Sequence, residues 1–309
     1  MKNRKEVGCV DKIAKIVCLI ILILYTTSML AVLGWGIMTS FKSGLDFMVR
    51  NKLAFPSKAY SLAEMKFYNY QVVFEQLVIE GEISFYQGSN EIVHAYKNNI
   101  FNMFFNSVWL SLVGALLKVF VPAVVAYLCA RFNYAISKFI YALVVFTMTI
   151  PVFGTTVSTM ELLRNTGLYD TPLGYICQNF TFNGMYFLVL HATFVSFSNA
   201  YVEAAEIDGA NQYRILFQIV FPLVFPVLGS IFLIQFVTFW DNYQNAMLWM
   251  PSYSTLAYGI WFFNFNSGTG TTAPQKIASC MILAIPILTL FIVFKDKIMV
   301  NMTVGGIKG

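Results

Sequence analysis

Three acidic side chains, Glu203, Glu206 and Asp208, fall within six positions of a chain whose neighbouring tracts carry no charge. At the centre of a bilayer each charge would cost about 2.5–3.5 kcal/mol, so we expect these carboxylates to be solvated or paired outside the lipid. The letters VEAAEID favour a helix, Gly209 can take the left-handed conformation that ends one, and NQYRILFQIV favours a second helix. Residues 203–222 are therefore predicted to form a helix, a sharp turn and a helix at the membrane surface.

Two interpretations of this segment stay open on the residues alone. It could be an ordinary amphipathic connector between two membrane spans, with Pro222 and Pro226 marking the start of the next span. It could instead be a docking element for a cytoplasmic protein, because an exposed pair Ala204–Ala205 would let another surface approach closely.

Side chains suited to catalysis or metal binding are few in the rest of the chain. There are five cysteines without a C-x-x-C pair, and the two histidines, His94 and His191, are far apart. This distribution predicts neither a disulfide framework nor a metal site. The sequence contains no G-x-x-x-x-G-K-[ST] phosphate loop, so the chain is expected to bind no cofactor and no ATP of its own.

The composition places these residues in a membrane protein. The 309 residues are 58% hydrophobic and 11% charged, whereas soluble domains carry about 25% charged residues. Because a spanning helix needs about 20 mostly apolar residues, the apolar tracts predict six transmembrane helices. They lie near residues 16–39, 101–128, 139–160, 186–201, 225–240 and 277–294.

The distribution of cations predicts the orientation of these helices. With a cytoplasmic N-terminus, six spans place Arg131, Lys138, Arg214 and the C-terminal lysines on the cytoplasmic side, in agreement with the positive-inside rule. A seventh span near residues 247–263 would put the C-terminal lysines outside. Both termini and the acidic segment are therefore expected in the cytoplasm, while Lys118, inside the second span, must face protein or water or extend to the interface.

The predicted architecture is an all-α integral membrane protein with an extracytoplasmic loop subdomain. Residues 1–40 hold the cytoplasmic N-terminus and the first span, and residues 41–98 are too long for a bare connection, so they should form a small cap with short helices near 61–80. A core domain follows at 99–295, with cytoplasmic helices at 203–222, and residues 296–309 form a cytoplasmic tail.

Several motifs resemble those of ABC-importer permeases, most closely the carbohydrate-type permeases related to the maltose system. The segment EAAEIDGA followed by IVFPL resembles their EAA motif. Further similarities are NMFFNSVWLSL (102–112), VAYLCARF, FWDNYQNAMLWM and the ending VGGIKG. The chain departs from the family in having no proline just before the EAA helix, and in the order Trp240, Asp241, Asn242, where the family has W-N-D.

The resemblance implies a type I ABC-importer permease in a bacterial cell membrane, with half of the translocation pore in this chain. It implies import of a sugar or oligosaccharide and four kinds of partner: membrane lipid, a second homologous permease, an extracytoplasmic solute-binding protein, and a dimer of ATP-binding subunits that bind ATP and Mg. Nucleic acid is not expected to bind. The family's ATPase-docking positions correspond to Glu203, Ala204, Ala205, Asp208 and Gly209.

Two further groups of site residues are candidates. Substrate-path residues are sought among polar and aromatic groups near the ends of spans, although these could equally form a polar outer interface: Glu161, Asn242, Tyr243, Gln244 and Asn245. The uncharged loop NFNSGTGTTAP could contact the solute-binding protein, as the corresponding loop does in maltose-type permeases, or be a flexible linker. Its candidates are Ser267, Gly268, Thr269 and Gly270.

An ion- or proton-coupled secondary transporter is the main alternative. Such proteins usually carry several acids or histidines within their spans as a relay. Here only Lys118 and His191 lie inside predicted spans, with Glu161 at a margin. A membrane enzyme is the second alternative, but no paired carboxylates or Ser–His–Asp set falls within a predicted span.

Overall fold

The computed structural model describes residues 9–49, 52–55, 67–87, 90–150, 154–265 and 270–302. The helices are α1 (Cys9–Ser40), α2 (Gly44–Val49), α3 (Tyr68–Gln76), α4 (Ile100–Arg131), α5 (Ala135–Thr149), α6 (Thr155–Asn165), α7 (Pro172–Asn179), α8 (Met185–Val195), α9 (Asn199–Ile207), α10 (Gln212–Arg214), α11 (Phe221–Asp241), α12 (Tyr243–Trp249), α13 (Leu256–Phe265) and α14 (Ala273–Met302). A π-helical turn, Ile215–Val220, joins α10 to α11, and a 3₁₀ turn, Pro251–Tyr253, follows α12. Two strands, β1 (Ile79–Gln87) and β2 (Asn90–Asn98), form an antiparallel hairpin.

The chain divides into two compact units. One comprises Met1–Gln76 and Phe263–Ala284, and the other Leu77–Phe262 and Ile285–Gly309. In the first unit every side chain of α1 from residue 12 to residue 32 is exposed, as expected of a helix that faces lipid. After α1 the chain turns back, and the amide of the buried Asn69 holds the turn by donating to the carbonyl oxygens of Ser40 and Lys42, both at 2.7 Å.

Within the residues that the structure describes, four helices are long and apolar enough to cross a membrane: Lys12–Ser40, Ile100–Arg131, Gln212–Asp241 and Ala273–Phe294. They contain the first, second, fifth and sixth spans predicted from the sequence. A fifth span results if α8 and residues Ala200–Ile207 of α9, bent by 68° relative to each other, are taken together. The predicted count of six is not confirmed, and α13, which overlaps the suggested seventh span at residues 256–263, has only 10 residues.

The third predicted span, over residues 139–160, is wrong as one continuous helix. α5 ends at Thr149 after 15 residues, or about 22 Å, which is shorter than the roughly 30 Å of a bilayer core. The break has a local cause. Ile150 is extended because it precedes Pro151, and Gly154 has a φ of 80° before α6 begins.

The loop predicted at 41–98 contains both helices and a hairpin. α3 lies within the range 61–80 where short helices were expected, but the hairpin was not predicted. Its register pairs Gln87 with Asn90, so that two residues, Gly88 and Ser89, separate the strands. A glycine–serine pair between two runs rich in β-branched and aromatic residues is a hairpin signal that could have been noticed.

The hydrophobic core of the second unit is built around α4. Small residues on α4, such as Ala123 and Ala126, are fully buried against Phe187 and Leu190 of α8 and Leu228 of α11. Towards its N-terminal end, α4 accepts a hydrogen bond of 2.7 Å at the carbonyl oxygen of Leu110 from the hydroxyl of Tyr175 on α7. α4 is therefore the helix around which α7, α8 and α11 are assembled.

Candidate functional site

The predicted turn after the acidic helix is present, and its backbone geometry is well defined. α9 ends at Ile207 with Asp208 as its C-cap, and Gly209 follows with a φ of 76° in the left-handed region. The N–H of Gly209 donates to the carbonyl oxygen of Glu206 at 3.1 Å, and the N–H of Ala210 donates to that of Ala205 at 2.9 Å. This pair of bonds is a Schellman motif, in which glycine is favoured because it has no Cβ.

The helix restarts at once and continues into the next span. The side chain of Asn211 accepts a hydrogen bond of 2.8 Å from the N–H of Arg214, which caps the new helix. The N–H of Phe221 then donates to the carbonyl oxygen of Leu216, five residues earlier. This wider π-helical turn accommodates Pro222, which has no N–H and would crowd a normal turn, so the helix runs unbroken over Gln212–Asp241.

One face of α9 is part of the hydrophobic core. Val202 is 2% exposed and Ala205 is 7% exposed, and both belong to the cluster that includes Ile215 and the core residues of α4 and α8. The prediction that Ala204 and Ala205 form an exposed pair is therefore wrong for Ala205. The reason is helical geometry, because residues three apart share a face and Val202 already points inward. Ala204 is exposed as predicted.

The second acid of the segment joins the turn to the end of α4. The Oε1 atom of Glu206 accepts hydrogen bonds from Nε2 of Gln212 at 3.0 Å and from Nη2 of Arg131 at 3.2 Å. The hydrogen bond from Gln212 and, to a smaller extent, that from Arg131 lower the pKa of the Glu206 carboxyl below its ordinary value. Glu206 thus connects α9, α10 and the last residue of α4.

The opposite face of the turn is exposed and mixed in character. We name it the docking surface and define it as Glu203, Ala204, Ile207, Asp208, Gly209 and Tyr213, all of them exposed. Sequence reasoning missed Ile207, which is 86% exposed, and Tyr213, which is 77% exposed. Large apolar side chains within an acidic segment were the available signal, since apolar groups surrounded by polar ones often mark interaction sites.

The polar residues that follow α11 lie close together and form a second candidate site. Asn242 lies between α11 and α12, and it caps the start of α12 because its side chain accepts a hydrogen bond of 3.0 Å from the N–H of Asn245. The ring of Tyr243 stacks on Trp261 with centroids 5.3 Å apart. Asn242, Tyr243 and Gln244 line an open groove of about 460 Å³.

Glu161 is not part of that cluster. It lies exposed on α6, a different helix, whose buried face is anchored by Leu163 in a small cluster with Tyr169 and Trp249. The structure therefore gathers the four residues from 242 to 245 and leaves Glu161 on a separate surface.

Of the four candidate residues for contact with the solute-binding protein, Gly270 lies in the described part of the chain. Ser267, Gly268 and Thr269 lie outside the described residues. Gly270 has a φ of 71°, which confirms a positive-φ turn there. The ammonium of Lys276 on α14 donates to the carbonyl oxygen of Asn264 on α13 at 2.7 Å, so the two helices that flank the loop are joined at its base.

Asp170 was not singled out from the sequence. It is the one non-glycine residue with positive φ, 57°, in the described part of the chain. Its N–H donates to the carbonyl oxygen of Trp249 at 3.2 Å, and its carboxylate accepts from the N–H and the hydroxyl of Ser252. Burial raises the pKa of the Asp170 carboxyl, and the bonds from Ser252 partly oppose that shift. The sequence offers no signal for this contact, because its partner is 82 positions away.

Lys118 is half-buried inside α4. Its ammonium donates to the hydroxyl of Thr181 at 2.7 Å. Thr181 belongs to the non-helical stretch between α7 and α8, so Lys118 faces protein, one of the options expected from the sequence.

Comparison with known proteins gives one family match. The family model described as "Binding-protein-dependent transport system inner membrane component" matches residues 122–299, which is more than half of the chain.

Several individual proteins are similar at low identity. The chain is 25% identical over 207 residues to the inner membrane ABC transporter permease protein YcjP of Escherichia coli (strain K12), covering 67% of this chain and 74% of that protein. It is 25% identical over 234 residues to the melibiose/raffinose/stachyose import permease protein MelC of Bacillus subtilis (strain 168), covering 75% and 84%. It is 26% identical over 207 residues to the arabinooligosaccharides transport system permease protein AraQ of Halalkalibacterium halodurans, covering 67% and 74%.

One solved structure shares the fold over almost its whole length. It is the "Crystal structure of a bacterial ABC transporter involved in the import of the acidic polysaccharide alginate", which aligns with a TM-score of 0.71. The alignment covers 94% of this chain and 98% of that chain at 18% identity, so it shows a common fold and nothing about substrate.

Proposed function

Because this chain belongs to the family of binding-protein-dependent transport system inner membrane components, we propose that it is one of two transmembrane subunits of an ATP-driven importer for a sugar or oligosaccharide. The names of MelC and AraQ, which refer to melibiose, raffinose, stachyose and arabinooligosaccharides, support the substrate class. The companion subunit is a second, homologous permease. Two ATP-binding subunits bind ATP and Mg, and a solute-binding protein delivers the sugar.

The observation that carries this proposal is the construction of the docking surface. It combines a rigid backbone turn at Gly209 with two strongly exposed apolar side chains, Ile207 and Tyr213, beside exposed acids. An isolated amphipathic connector would gain nothing from exposing such side chains to water. A cleft on an ATP-binding subunit would bury them and so supply the binding free energy.

The docking surface is also connected to the spans in a way that suits energy coupling. Val202 and Ala205 anchor α9 in the core, and Glu206 holds it to Arg131 at the end of α4. Closure of the ATP-binding subunits would displace α9, and α4 would move with it because packed cores shift as units instead of deforming gradually. ATP hydrolysis in the partner would thereby open and close a path between the two permeases.

We assign the docking surface to the cytoplasm, together with both termini, and the groove at Asn242, Tyr243 and Gln244 to the outer part of the path. Amide groups and the Tyr243–Trp261 stack are of the kinds that hydrogen-bond sugar hydroxyls and contact sugar rings. The segment ending at Gly270 is the proposed contact with the solute-binding protein. The chain is a multi-pass protein of a bacterial cell membrane, and residues 41–98 lie outside it.

Two substitutions on the docking surface test the coupling function. Glu203→Lys and Ile207→Asp should each reduce substrate-stimulated ATP hydrolysis by the reconstituted importer by at least about tenfold, since a charge buried in an interface without a partner costs several kcal/mol. Because Ile207 is 86% exposed, its replacement should change folding stability by no more than about 0.5 kcal/mol. The measurement is ATP turnover in proteoliposomes with and without loaded solute-binding protein.

Ile136→Asp is a matched control, because Ile136 is 64% exposed in the first turn of α5, where an acid is tolerated. It should leave ATP turnover responsive to substrate. A fully responsive Ile207→Asp and Glu203→Lys importer would refute docking through this turn. Uptake that needs no ATP-binding subunit and follows a proton gradient would instead support a secondary transporter.

A further inference from the structure

Lys118 lies deep inside the longest described helix of the second unit. It is 18 residues after Ile100 and 13 residues before Arg131, which places it about 27 Å and about 20 Å from the two ends of α4. A lysine at such a depth is costly unless it faces a protein or aqueous interior, and such residues commonly mark a transport path. The structure identifies its partner as the hydroxyl of Thr181, 2.7 Å away.

The partner residue belongs to a break between two helices. α7 ends at Asn179 and α8 begins at Met185, and the stretch between them is not helical. Because Thr181 touches Lys118, this irregular backbone lies at the same depth as Lys118. Non-helical backbone is tolerated at membrane depth only where it is buried in protein or lines a water-filled cavity.

A cavity is present beside this break. Its volume is about 250 Å³, and Thr181, Phe182 and Asn183 from the break line it together with Thr147 and apolar residues of α5. Lys118 is not part of this lining and is connected to it by the hydrogen bond to Thr181. The lining combines hydroxyl and amide groups with apolar surface. Discontinuous helices that meet at a polar cavity are a recurrent way of building substrate sites in transporters.

Lys118 projects away from the other large opening on α4. An apolar groove of about 670 Å³ is lined by Leu116 and Phe120 of α4 together with residues of α11. At 100° per residue, Lys118 lies about 200° around the helix from both of them. It shares its face instead with Ser111, seven residues earlier, whose buried hydroxyl has no hydrogen-bond partner in the described part of the chain. The face of α4 that carries Lys118 therefore holds two polar side chains, Lys118 and Ser111, among small and apolar residues such as Gly114 and Ala115.

Among the described residues, Lys118 makes no ion pair. α4 itself and its neighbours α5, α7 and α8 contain no aspartate or glutamate, and the one acid of α11, Asp241, is the last residue of that helix. An ammonium group has three N–H donors, and the one hydrogen bond to Thr181 leaves capacity for an acceptor from outside the chain. Burial of such a charge is stabilised best by an anion that shares hydrogen bonds with it.

We infer that Lys118, Thr181 and Asn183 form a subsite that receives the anionic group of an acidic saccharide, such as the carboxylate of a uronic acid, during its passage. This inference rests on the proposed function and narrows its substrate class. The ammonium supplies the charge, and the hydroxyl and amide supply orienting hydrogen bonds. A single cation provides transient binding, which suits a site that must release its ligand onward.

The first test compares two saccharides of equal length in proteoliposomes that contain the complete importer. The probes are trigalacturonate and galactotriose, and the quantity is the ratio of acidic to neutral uptake. Lys118→Met should lower this ratio about tenfold, which corresponds to about 1.4 kcal/mol, whereas Lys118→Arg should keep it near the wild-type ratio. Lys138→Met, which removes an exposed lysine from α5, is the control and should leave the ratio unchanged.

The outcomes separate the two claims. The acidic subsite is overturned if Lys118→Met reduces the uptake of both saccharides equally, or if the wild-type importer takes up galactotriose but not trigalacturonate. Either result leaves the proposed function standing. A wild-type importer that takes up neither this pair nor any other saccharide contradicts the proposed function.

A second measurement does not depend on knowing the substrate. Asn183→Cys, in an otherwise cysteine-free chain, should react faster with an anionic methanethiosulfonate than with a cationic one, because Lys118 attracts the anion. Adding Lys118→Met should reduce this preference about tenfold, whereas adding Lys138→Met should not. A preference that is absent, or that survives the loss of Lys118, overturns the subsite.

Discussion

The ends of α6 and α9 have the same backbone structure and very different surroundings. Each helix ends in a Schellman motif around a glycine, with φ of 70° at Gly167 and 76° at Gly209. At the end of α6, the N–H of Gly167 donates to the carbonyl oxygen of Arg164 and that of Leu168 to the carbonyl oxygen of Leu163. The hydrogen-bond pattern at α9 is identical, so any difference in role must come from side chains.

The side chains around the two turns are disposed in opposite ways. After Gly167 the chain folds inward, because Tyr169 is 6% exposed and Asp170 is held by Ser252. Around Gly209 the large side chains of Ile207 and Tyr213 point outward. A Schellman motif by itself therefore only ends a helix. The exposed apolar side chains beside Gly209 are the feature that indicates a partner.

The two turns also lie at opposite ends of one helix. Asp170 binds Ser252, whose carbonyl oxygen accepts from the amide of Asn98, just before α4 starts. Glu206 binds Arg131, the last residue of α4. α4 has 32 residues and is about 47 Å long, so a membrane fits between the two turns.

The largest expected effect is a difference in sidedness. In a cysteine-free chain, Asn165→Cys beside the first turn should react with an impermeant thiol reagent applied to intact cells. Tyr213→Cys should react only after the membrane is permeabilised, because the docking surface is assigned to the cytoplasm. Both positions are exposed, so burial would not explain a difference. If both cysteines are labelled from the same side of the membrane, then the two turns do not lie on opposite sides and the proposed orientation is wrong.

A smaller effect is expected when either glycine is replaced by alanine, and it distinguishes a loss of stability from a loss of coupling to ATP hydrolysis. Gly167→Ala and Gly209→Ala each place a Cβ at positive φ with no neighbouring atom within 4 Å, so each should cost about 1–2 kcal/mol of backbone strain. Thermal unfolding of the purified complexes should show similar decreases for the two variants. Substrate-stimulated ATP hydrolysis should fall several-fold only in Gly209→Ala, because only that turn belongs to the docking surface that we propose binds the ATP-binding subunits.

One result would contradict a coupling role for the turn at Gly209. If Gly167→Ala reduces substrate-stimulated ATP hydrolysis as much as Gly209→Ala does, then the loss reflects general destabilisation. The turn at Gly209 would then have no special role in coupling.

These turns also illustrate what the sequence could predict. The turn at Gly209 was predictable because its signals are local: good helix formers, then a glycine, then an Asn cap. The long spans in α1, α4, α11 and α14 were predictable because an apolar tract of 20 residues has few alternatives. The break at Ile150 was missed because a hydrophobic tract hid the effect of Pro151 and Gly154.

The remaining features depend on contacts between distant residues. Asp170 takes its strained conformation only because Ser252 and Trp249 are brought beside it by the packing of α6 and α12. Ala205 is buried because Val202 fixes which face of α9 meets the core, and no alanine pair in a sequence reveals that choice. Lys118 was visible as a charge, but its partner, Thr181, is 63 positions away.

The smallest expected effect is an opposite response of the two turns to acid. Folding of this chain raises the pKa of Asp170, mainly by burial, and lowers the pKa of Glu206 through its bonds to Gln212 and Arg131. A raised carboxyl pKa means that the folded state binds the proton more tightly, so the charged Asp170 destabilises the fold at neutral pH and that cost disappears as the pH falls through its raised pKa. The lowered pKa of Glu206 means the reverse, because its stabilisation is complete above its ordinary value of 4.5 and is lost as the pH falls through its lowered pKa.

Uncharged isosteres should show these two signs directly. Asp170→Asn keeps an acceptor for Ser252 and a side chain that tolerates positive φ, so at pH 7.5 it should unfold about 1–2 °C above the wild type. Glu206→Gln removes the charge that faces Arg131, so at pH 7.5 it should unfold slightly below the wild type. On acidification both differences should shrink, that of Asp170→Asn at pH values above the ordinary 3.8 of an aspartate and that of Glu206→Gln at values below 4.5. The measurement is the unfolding temperature of each variant and of the wild type against pH in one detergent. If both variants unfold above the wild type at pH 7.5, or both below it, then the two carboxylates are not held in the opposite environments described.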